Sequence, residues 1–208
     1  MIEIRDRTSG RILTTVDAEN LIGVRMPHTV LRQAFLAKMD MRGSRLMLAN
    51  MMGADLRGAS LIEADMTDAN LRQAILDHAN LASANLTFAQ LVGATLDNAN
   101  LEMVDLGNAD LSDAILTHAN LDGANMHSAD LTNADLTNAN LHAANLSYAI
   151  LGGANLSKTN LKGTRLTSAL YNEKTIWPKD FQPETYGAVK VTFEKAPDPV
   201  PWWCWWKR

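Results

Sequence analysis

The sequence has very little cysteine, no long apolar run and no apolar stretch at its N-terminus. Its 208 residues include one cysteine, Cys204, which excludes an internal disulfide and a cysteine-rich zinc site. We expect neither a secretory signal nor a membrane span, because a span needs roughly 20 consecutive apolar residues. The hydrophobic fraction of 47% and the charged fraction of 20% are typical of soluble domains, so we expect one folded domain in the cytoplasm.

A five-residue repeat dominates the chain. Every fifth residue from position 31 to position 166 is Leu or Met, which gives 28 consecutive matches without an insertion. Ala lies two residues earlier at 22 of these places, and Asp or Asn lies one residue earlier at 18 of them. A helix repeats about every 3.6 residues and a strand about every 2 residues, so in either one a residue at every fifth position would not stay on one face. A backbone that turns a right-angled corner every five residues keeps the row on one axis and closes a coil in four repeats.

The position two residues after each Leu or Met marks the corner. Over the 28 repeats it holds seven Gly and no Val, Ile or Thr, whereas the position just before it holds eight of these β-branched residues. Exclusion of β-branched residues together with enrichment of Gly is typical of a left-handed backbone with positive φ. The pattern therefore predicts that this residue is the third residue of a type II turn.

The motif Ala-(Asp/Asn)-Leu-x-x, as in Ala69-Asn70-Leu71 and Ala134-Asp135-Leu136, resembles the pentapeptide repeat family over about residues 21 to 170. The resemblance implies an all-β fold, a right-handed quadrilateral β-helix with Leu and Ala stacked inside. Four repeats per coil give about seven coils, and at ~4.8 Å per coil the rod is roughly 34 Å long.

We expect both open ends of the coil to be covered, because they expose unpaired backbone groups and core leucines. Residues 1–20 are predicted to form an N-terminal β-hairpin cap, followed by the β-helix over 21–170. Residues 171–194 are predicted to form a C-terminal cap, in which Tyr171 and Ile176 keep the five-residue spacing. Residues 195–208 form a separate tail rich in Pro and Trp.

The sequence offers no constellation for catalysis. It contains no phosphate-binding loop, no nucleophile paired with a base and no metal-ligand spacing. His78 and His118 share one side of a four-sided coil, but two coils separate them by roughly 9.6 Å, which is too far for one metal ion. We therefore predict a protein that is not an enzyme, with no catalytic, cofactor-binding or metal-binding residues and no cofactor.

Acidic residues are concentrated in the middle of the chain. Between Arg72 and Lys158 there are nine Asp or Glu and no Lys or Arg. Four of the nine occupy the Asp/Asn position of the motif and are interpreted as structural: Asp105, Asp110, Asp130 and Asp135. The others are predicted to face outward, and four of them are candidate interaction residues, namely Asp77, Asp97, Glu102 and Asp122; the fifth is Asp113.

The acidic region has two interpretations. It is either a solvated face or a mimic of DNA that competes for a basic groove. Members of the family that the chain resembles include DNA mimics that occupy type II topoisomerases and protect them from quinolones, so gyrase inhibition or quinolone protection is an alternative function. Direct nucleic-acid binding is not expected, because the arginines of residues 25–57 are interleaved with Met and Leu.

The remaining candidate interaction residues are aromatic. Phe88 and Tyr148 are predicted to project outward from one side of the rod. In the tail, Trp202, Trp203, Trp205 and Trp206 precede Lys207 and Arg208. Such a tail suits peripheral contact with a membrane interface, insertion into a groove of a partner, or folding back onto the rod to stabilise the C-terminal cap or a homodimer formed there.

The sequence as a whole favours a bacterial interaction protein that acts as a scaffold. Its rigid sides would display side chains to a macromolecular partner, which the sequence does not identify. The first alternative is a DNA-mimicking binder of a type II topoisomerase, and the second is a peripheral membrane tether that acts through the Trp-rich tail.

Overall fold

The computed structural model describes residues 1–192, and in these the chain winds into an all-β solenoid. From Arg25 to Ile150, every fifth residue forms a parallel bridge with the residue four repeats later. Backbone hydrogen bonds join the same layers; for example, the amide of Leu101 donates to the carbonyl of Asn120 at 2.7 Å. One turn of the coil therefore takes four repeats, and each coil stacks directly on the one before it.

A left-handed residue recurs at every corner of the coil. Positive φ angles occur at every fifth residue from Gly23 to Ser168, between 54° and 75°. A backbone turn hydrogen bond closes every corner except that at His28, as where the amide of Ala34 donates to the carbonyl of Leu31 at 3.0 Å. The left-handed residue is thus the third residue of a β-turn, and the predicted corner is confirmed.

The core is a stack of Leu, Met and Ala along the axis. Leu101, Leu121 and the residues that precede them by two positions are at most 1% exposed, as are the equivalent residues of most other repeats. Burying one such Leu contributes roughly 1.5–3 kcal/mol relative to leaving it in water. Where Thr164 replaces Ala, its hydroxyl donates to the carbonyl of Leu141 at 2.7 Å, so the buried oxygen is not left without a partner.

A β-hairpin lies at the N-terminal end of the coil. Strands β1 (Ile2–Arg5) and β2 (Ile12–Val16) are antiparallel, and the amide of Phe35 donates to the carbonyl of Arg5 at 2.7 Å. Ile4 is buried in the core at this end. The carboxylate of Asp6 accepts hydrogen bonds from Thr8 and Ser9 in the hairpin turn, and these bonds hold the pKa of Asp6 well below its ordinary value.

Short strands and an aromatic stack lie at the C-terminal end of the coil. Strand β3 (Leu170–Tyr171) pairs in parallel with β4 (Val189–Lys190), and a 3-10 helix spans Pro183–Tyr186. The rings of Tyr171, Trp177 and Phe181 follow one another with centroids 5.4 Å apart. Burial, reinforced by a hydrogen bond to Glu184, raises the pKa of Tyr171 to about 12.

The expectation that Ile176 keeps the five-residue spacing is wrong. The bridge from Asn155 goes to Ile176 rather than to Thr175, where an unbroken repeat would place it, and the side chain of Ile176 is 52% exposed. One residue is gained in the turn where the amide of Thr175 donates to the carbonyl of Asn172. The shift turns Ile176 outward and lets Trp177 pack against the core instead.

Candidate interaction surfaces

The four candidate acids lie on two neighbouring sides of the rod. Asp77 and Asp97 occupy one column, since they are one coil apart, and Glu102 and Asp122 occupy the next column along the coil. Oδ1 of Asp77 accepts the backbone amide of Asp97 at 3.1 Å. We call the surface formed by these two columns, Asp77, Asp97, Glu102 and Asp122, the acidic side.

Hydrogen bonds to the following coil orient the carboxylate of Asp97. It accepts from the hydroxyl of Thr117, and its Oδ1 lies 3.3 Å from Nδ1 of His118. The bond from Thr117, with smaller contributions from His118 and Asn98, lowers the pKa of Asp97 below its ordinary value. Asp97 therefore stays negatively charged at neutral pH while its position is held.

Two histidine–carboxylate contacts were missed in the sequence. Nδ1 of His142 lies 2.8 Å from Oδ1 of Asp122, and the His118–Asp97 contact is its counterpart on the neighbouring side. The available signal was the spacing along the chain, because each histidine follows its carboxylate by about one coil, which brings the partners together in successive coils.

The Asp/Asn position of the motif is structural, as predicted. Oδ1 of Asp110 and of Asp130 accepts the amide of the residue two positions later, at 3.1 and 2.9 Å respectively, and Asp105 and Asp135 bond in the same way. On the side that carries Glu102, the side chains of stacked asparagines also bond to each other from coil to coil. This ladder consists of Asn80, Asn100, Asn120, Asn140 and Asn160.

Phe88 and Tyr148 are brought to one corner of the rod. They occupy the left-handed position of their repeats, with φ of 59° and 62°, and both side chains are 56% exposed. Leu48 shares their column and is exposed as well, while polar residues occupy the coils in between, namely Asp68, Asn108 and Ser128. The ring of His127 contacts Tyr148 edge to face with centroids 5.3 Å apart. We call these three exposed side chains, Leu48, Phe88 and Tyr148, the apolar corner.

The apolar corner and the acidic side face different directions. Phe88 and Asn98 occupy corner positions that are two repeats apart, which is half a coil, and Asn98 donates a side-chain hydrogen bond to Asp97. Glu102 and Asp122 lie nearer, one repeat or a quarter of a coil from the apolar corner, so the aromatic and acidic candidates occupy different sides of the rod.

Two arginines of the basic N-terminal region are paired with carboxylates. Arg57 donates to both oxygens of Asp55, at 2.9 and 2.6 Å, and Arg42 makes the equivalent contacts with Asp40. The guanidinium of Arg57 lowers the pKa of Asp55, whose side chain is only 3% exposed. This pairing reduces the positive charge that the region could offer to phosphate groups.

The remaining predictions concern the tryptophans of the tail, metal binding and membrane spans. Trp202, Trp203, Trp205 and Trp206 lie outside the described residues. Within residues 1–192, no group of three or more His, Cys, Asp or Glu side chains is arranged to hold a metal ion. In the same part of the chain, no helix has the length and apolar character needed to cross a bilayer.

Family models agree with the geometry of the coil. The model for pentapeptide repeats matches residues 49–87, 64–102, 100–138 and 134–170, with eight copies in all, and these ranges together cover more than half of the chain. The chain belongs to the pentapeptide repeat family. This finding confirms the resemblance inferred from the motif. No curated protein matches the sequence.

Two solved pentapeptide repeat proteins are similar to this chain over about half of its length. Rfr23, from the cyanobacterium Cyanothece 51142, is 39% identical over 45% of this chain and 63% of its own length, with a TM-score of 0.45. The match therefore spans less than two thirds of Rfr23. A protein of the Arabidopsis thaliana thylakoid lumen is 31% identical over 49% of this chain and 68% of its own, with a TM-score of 0.39.

QnrB1, a plasmid-mediated fluoroquinolone resistance protein, aligns over a longer stretch. The alignment covers 82% of this chain and 90% of QnrB1, with a TM-score of 0.62 and 14% sequence identity. At that identity the likeness shows a shared fold and nothing further.

Proposed function

We propose that this protein is a non-enzymatic scaffold whose apolar corner binds a protein partner. Its framework would be a right-handed, four-sided coil that is covered at both ends. The partner would contribute apolar groups that pack against Phe88 and the other exposed apolar side chains of the apolar corner.

The conformation and exposure of Phe88 and Tyr148 carry this proposal. A left-handed backbone costs a residue other than Gly roughly 1–2 kcal/mol, and an aromatic ring that is more than half exposed gains little from burial in the free protein. Gly occupies the same position at Gly93 and Gly123 without that cost. Two large rings on one corner are therefore better explained by contact with a partner than by stability.

The coil makes the apolar corner a rigid surface. The amides of Phe88 and Tyr148 donate to carbonyls of the next coil, Gly107 at 3.0 Å and Thr167 at 2.9 Å. A partner that binds here does not have to order a loop, so less binding free energy is lost to conformational entropy. This property suits a scaffold.

Site-specific photo-crosslinking tests the proposal. A benzophenone amino acid replaces Phe88 in the full chain, and the matched control carries it at Ile115, another exposed apolar residue on a different side. We expect one protein of the source organism to be crosslinked from position 88 and not from position 115. Equal crosslinking from both positions, or none from either, would contradict a partner at the apolar corner.

A second candidate function is binding to the basic DNA groove of a type II topoisomerase. The observation that favours it is the acidic side, where Asp97 stays ionised and no Lys or Arg occurs between Arg72 and Lys158. A negative surface about as wide as a duplex would compete with DNA for such a groove. QnrB1 adds only its shared fold to this argument.

Inhibition of DNA supercoiling by gyrase tests the second candidate. We expect inhibition at low micromolar protein that weakens as the salt concentration rises, because salt screens the attraction. A variant with Asp77, Asp97, Glu102 and Asp122 changed to their amides should lose the inhibition, whereas Phe88→Ser should keep it. Absence of inhibition at every salt concentration rules this candidate out.

A further inference from the structure

An apolar strip lies at the C-terminal end of the rod, next to the apolar corner. Ile150 bridges to Leu170 in the following coil, and Leu170 pairs with Val189 of β4. Tyr148 precedes Ile150 by two residues and lies at the adjoining corner. Tyr148, Ile150 and Val189 are 56%, 37% and 47% exposed, so the strip presents apolar surface in three successive layers. We call Tyr148, Ile150, Leu170 and Val189 the terminal strip.

We propose that the chain's own C-terminal segment, residues 202–208, docks on the terminal strip of the same molecule. The inference rests on the proposed function for the role of the apolar corner in binding. It assigns Tyr148, at one end of that corner, to the chain's own tail and leaves Phe88 to the partner.

The described chain ends beside the strip. The amide of Val191 donates to the carbonyl of Tyr171 at 2.7 Å, which carries β4 to the edge of the last coil, and Thr192 follows directly. Three of the residues between Thr192 and Trp202 are prolines. At about 3.1 Å per residue for an extended Pro-rich linker, the chain from Thr192 to Trp202 reaches roughly 31 Å.

That reach covers the strip and part of the apolar corner below it. The amide of Ser168 donates to the carbonyl of Gly187, so Gly187 lies in the layer above Ser168. Tyr148 lies two layers below Gly187, at roughly 10 Å, and Phe88 lies five layers below it, at roughly 24 Å. The indoles of residues 202–206 can therefore reach Tyr148 and Ile150 without crossing to another side of the rod.

The chemistry of the segment matches the strip. The four indole rings would pack on the aliphatic and aromatic side chains of the terminal strip, and large aromatic rings gain the most free energy from such burial. Asp130 and Asp110 continue the column below Ile150, and their turn hydrogen bonds use Oδ1, which leaves Oδ2 to face Lys207 and Arg208. Neither Lys nor Arg occurs between Arg72 and Lys158 to compete for these carboxylates.

Crosslinking from Cys204 tests the docking. Cys204 is the only cysteine of the chain and lies among the tryptophans, so a thiol-reactive benzophenone labels the native protein at one place. We expect photo-crosslinks to peptides that contain Tyr148, Ile150 or Val189, at a yield that does not change on dilution. Crosslinks spread over all four sides would overturn the proposal. Crosslinks that form between isotope-labelled and unlabelled copies would also overturn it, in favour of exchange between molecules.

Tryptophan fluorescence gives a second, label-free measurement. In a Trp177→Phe background every remaining indole belongs to the tail. We expect emission shifted to shorter wavelength than that of the isolated peptide 193–208 in the same buffer. Tyr148→Ser with Ile150→Ser should move the emission to that of the peptide, whereas the control Phe35→Ser, an exposed ring on another side, should not.

Two outcomes of the fluorescence experiment would refute docking. If the Trp177→Phe protein, with Tyr148 and Ile150 intact, emits at the same wavelength as the isolated peptide, the tail is not packed on the rod. A shift that occurs only after anionic phosphatidylglycerol vesicles are added assigns the tail to a membrane surface. Both measurements use purified protein alone, so their failure leaves the crosslinking test at position 88 unaffected, and the two proposals can fail separately.

Discussion

Leu101 and Met103 are two residues apart, yet they belong to different regions of the molecule. Leu101 faces the axis of the coil and is fully buried, whereas Met103 lies at a corner and is 62% exposed. The inward column contains only Leu or Met over 28 repeats, whereas the corner column contains residues as different as Gly, Glu, His, Phe and Tyr. The contrast shows that inward positions specify the fold and that corners are available for function.

The Asp/Asn position between these regions has an intermediate role. Its side chain is half-buried and accepts an amide of the next corner, as Asp130 does, or joins a ladder from coil to coil, as Asn120 does. Replacing a residue at the Asp/Asn position should lower the free energy of unfolding by less than replacing an inward Leu and by more than replacing a corner residue. The predictions below follow this order, from the largest effect to the smallest.

Leu101→Asp should have the largest effect. It places a carboxylate without a partner in the core, so we expect a loss of at least about 4 kcal/mol in the free energy of unfolding. Urea denaturation followed by circular dichroism measures this loss.

The matched control is Met103→Asp in the same repeat. Asp tolerates a left-handed backbone and would face water, so we expect a change within about 0.5 kcal/mol. Similar losses for the two variants would contradict the division between inward positions and corners.

Arg57→Met tests the most buried ion pair at the outer surface. The side chain of Asp55 is 3% exposed, and losing the guanidinium leaves its charge unpaired, so we expect a loss of about 2 kcal/mol at pH 7. In the native chain the pKa of Asp55 is lowered, so its contribution is present above pH ~4 and is lost as the pH falls below that. Without Arg57 the largest cause of this lowering is lost while burial still acts to raise the pKa of Asp55, so the difference between the two proteins should shrink at pH ~3.5.

Arg42→Met is the control for that pair. Arg42 contacts Asp40 through the same two bonds, but the side chain of Asp40 is 42% exposed. We expect no measurable change in the free energy of unfolding, because exposed ion pairs contribute little. A loss as large as that of Arg57→Met would show that burial is not what makes the Asp55 pair important.

Most of the coil could be predicted from the sequence, because each of its elements repeats many times. The left-handed corners, the inward Leu column and the turn bonds of Asp110 and Asp130 all follow from column-by-column composition. The Asp97–His118 and Asp122–His142 contacts could not be obtained that way, since they do not recur along a column and join residues that meet only when coils stack. The one-residue shift at Ile176 lies where the repeat stops, so no neighbouring column indicates it.

Asn120→Ala tests the asparagine ladder. Asn120 donates to Asn100 at 3.3 Å and accepts from Asn140 at 3.0 Å, in addition to its turn bond. We expect a loss of about 1.5 kcal/mol in the free energy of unfolding. Asn70→Ala is the control, because its side-chain oxygen accepts the turn bond from Arg72 without ladder contacts in the described chain, and it should lose about half as much. Equal losses would mean that the ladder contributes nothing.

Phe88→Gly should have the smallest effect on stability, and the effect should be favourable. Glycine removes the cost of the left-handed backbone, roughly 1–2 kcal/mol, but gains entropy in the unfolded chain, so we expect a net stabilisation of about 0.5 kcal/mol. Ala143→Gly, at a corner with φ of 54°, is the control for backbone relief without loss of a ring. If Phe88→Gly instead destabilises the protein by more than about 1 kcal/mol, the ring is a structural contact. Stabilisation combined with loss of the partner captured by the native protein would show that Phe88 is kept at the corner for binding, at a cost in stability.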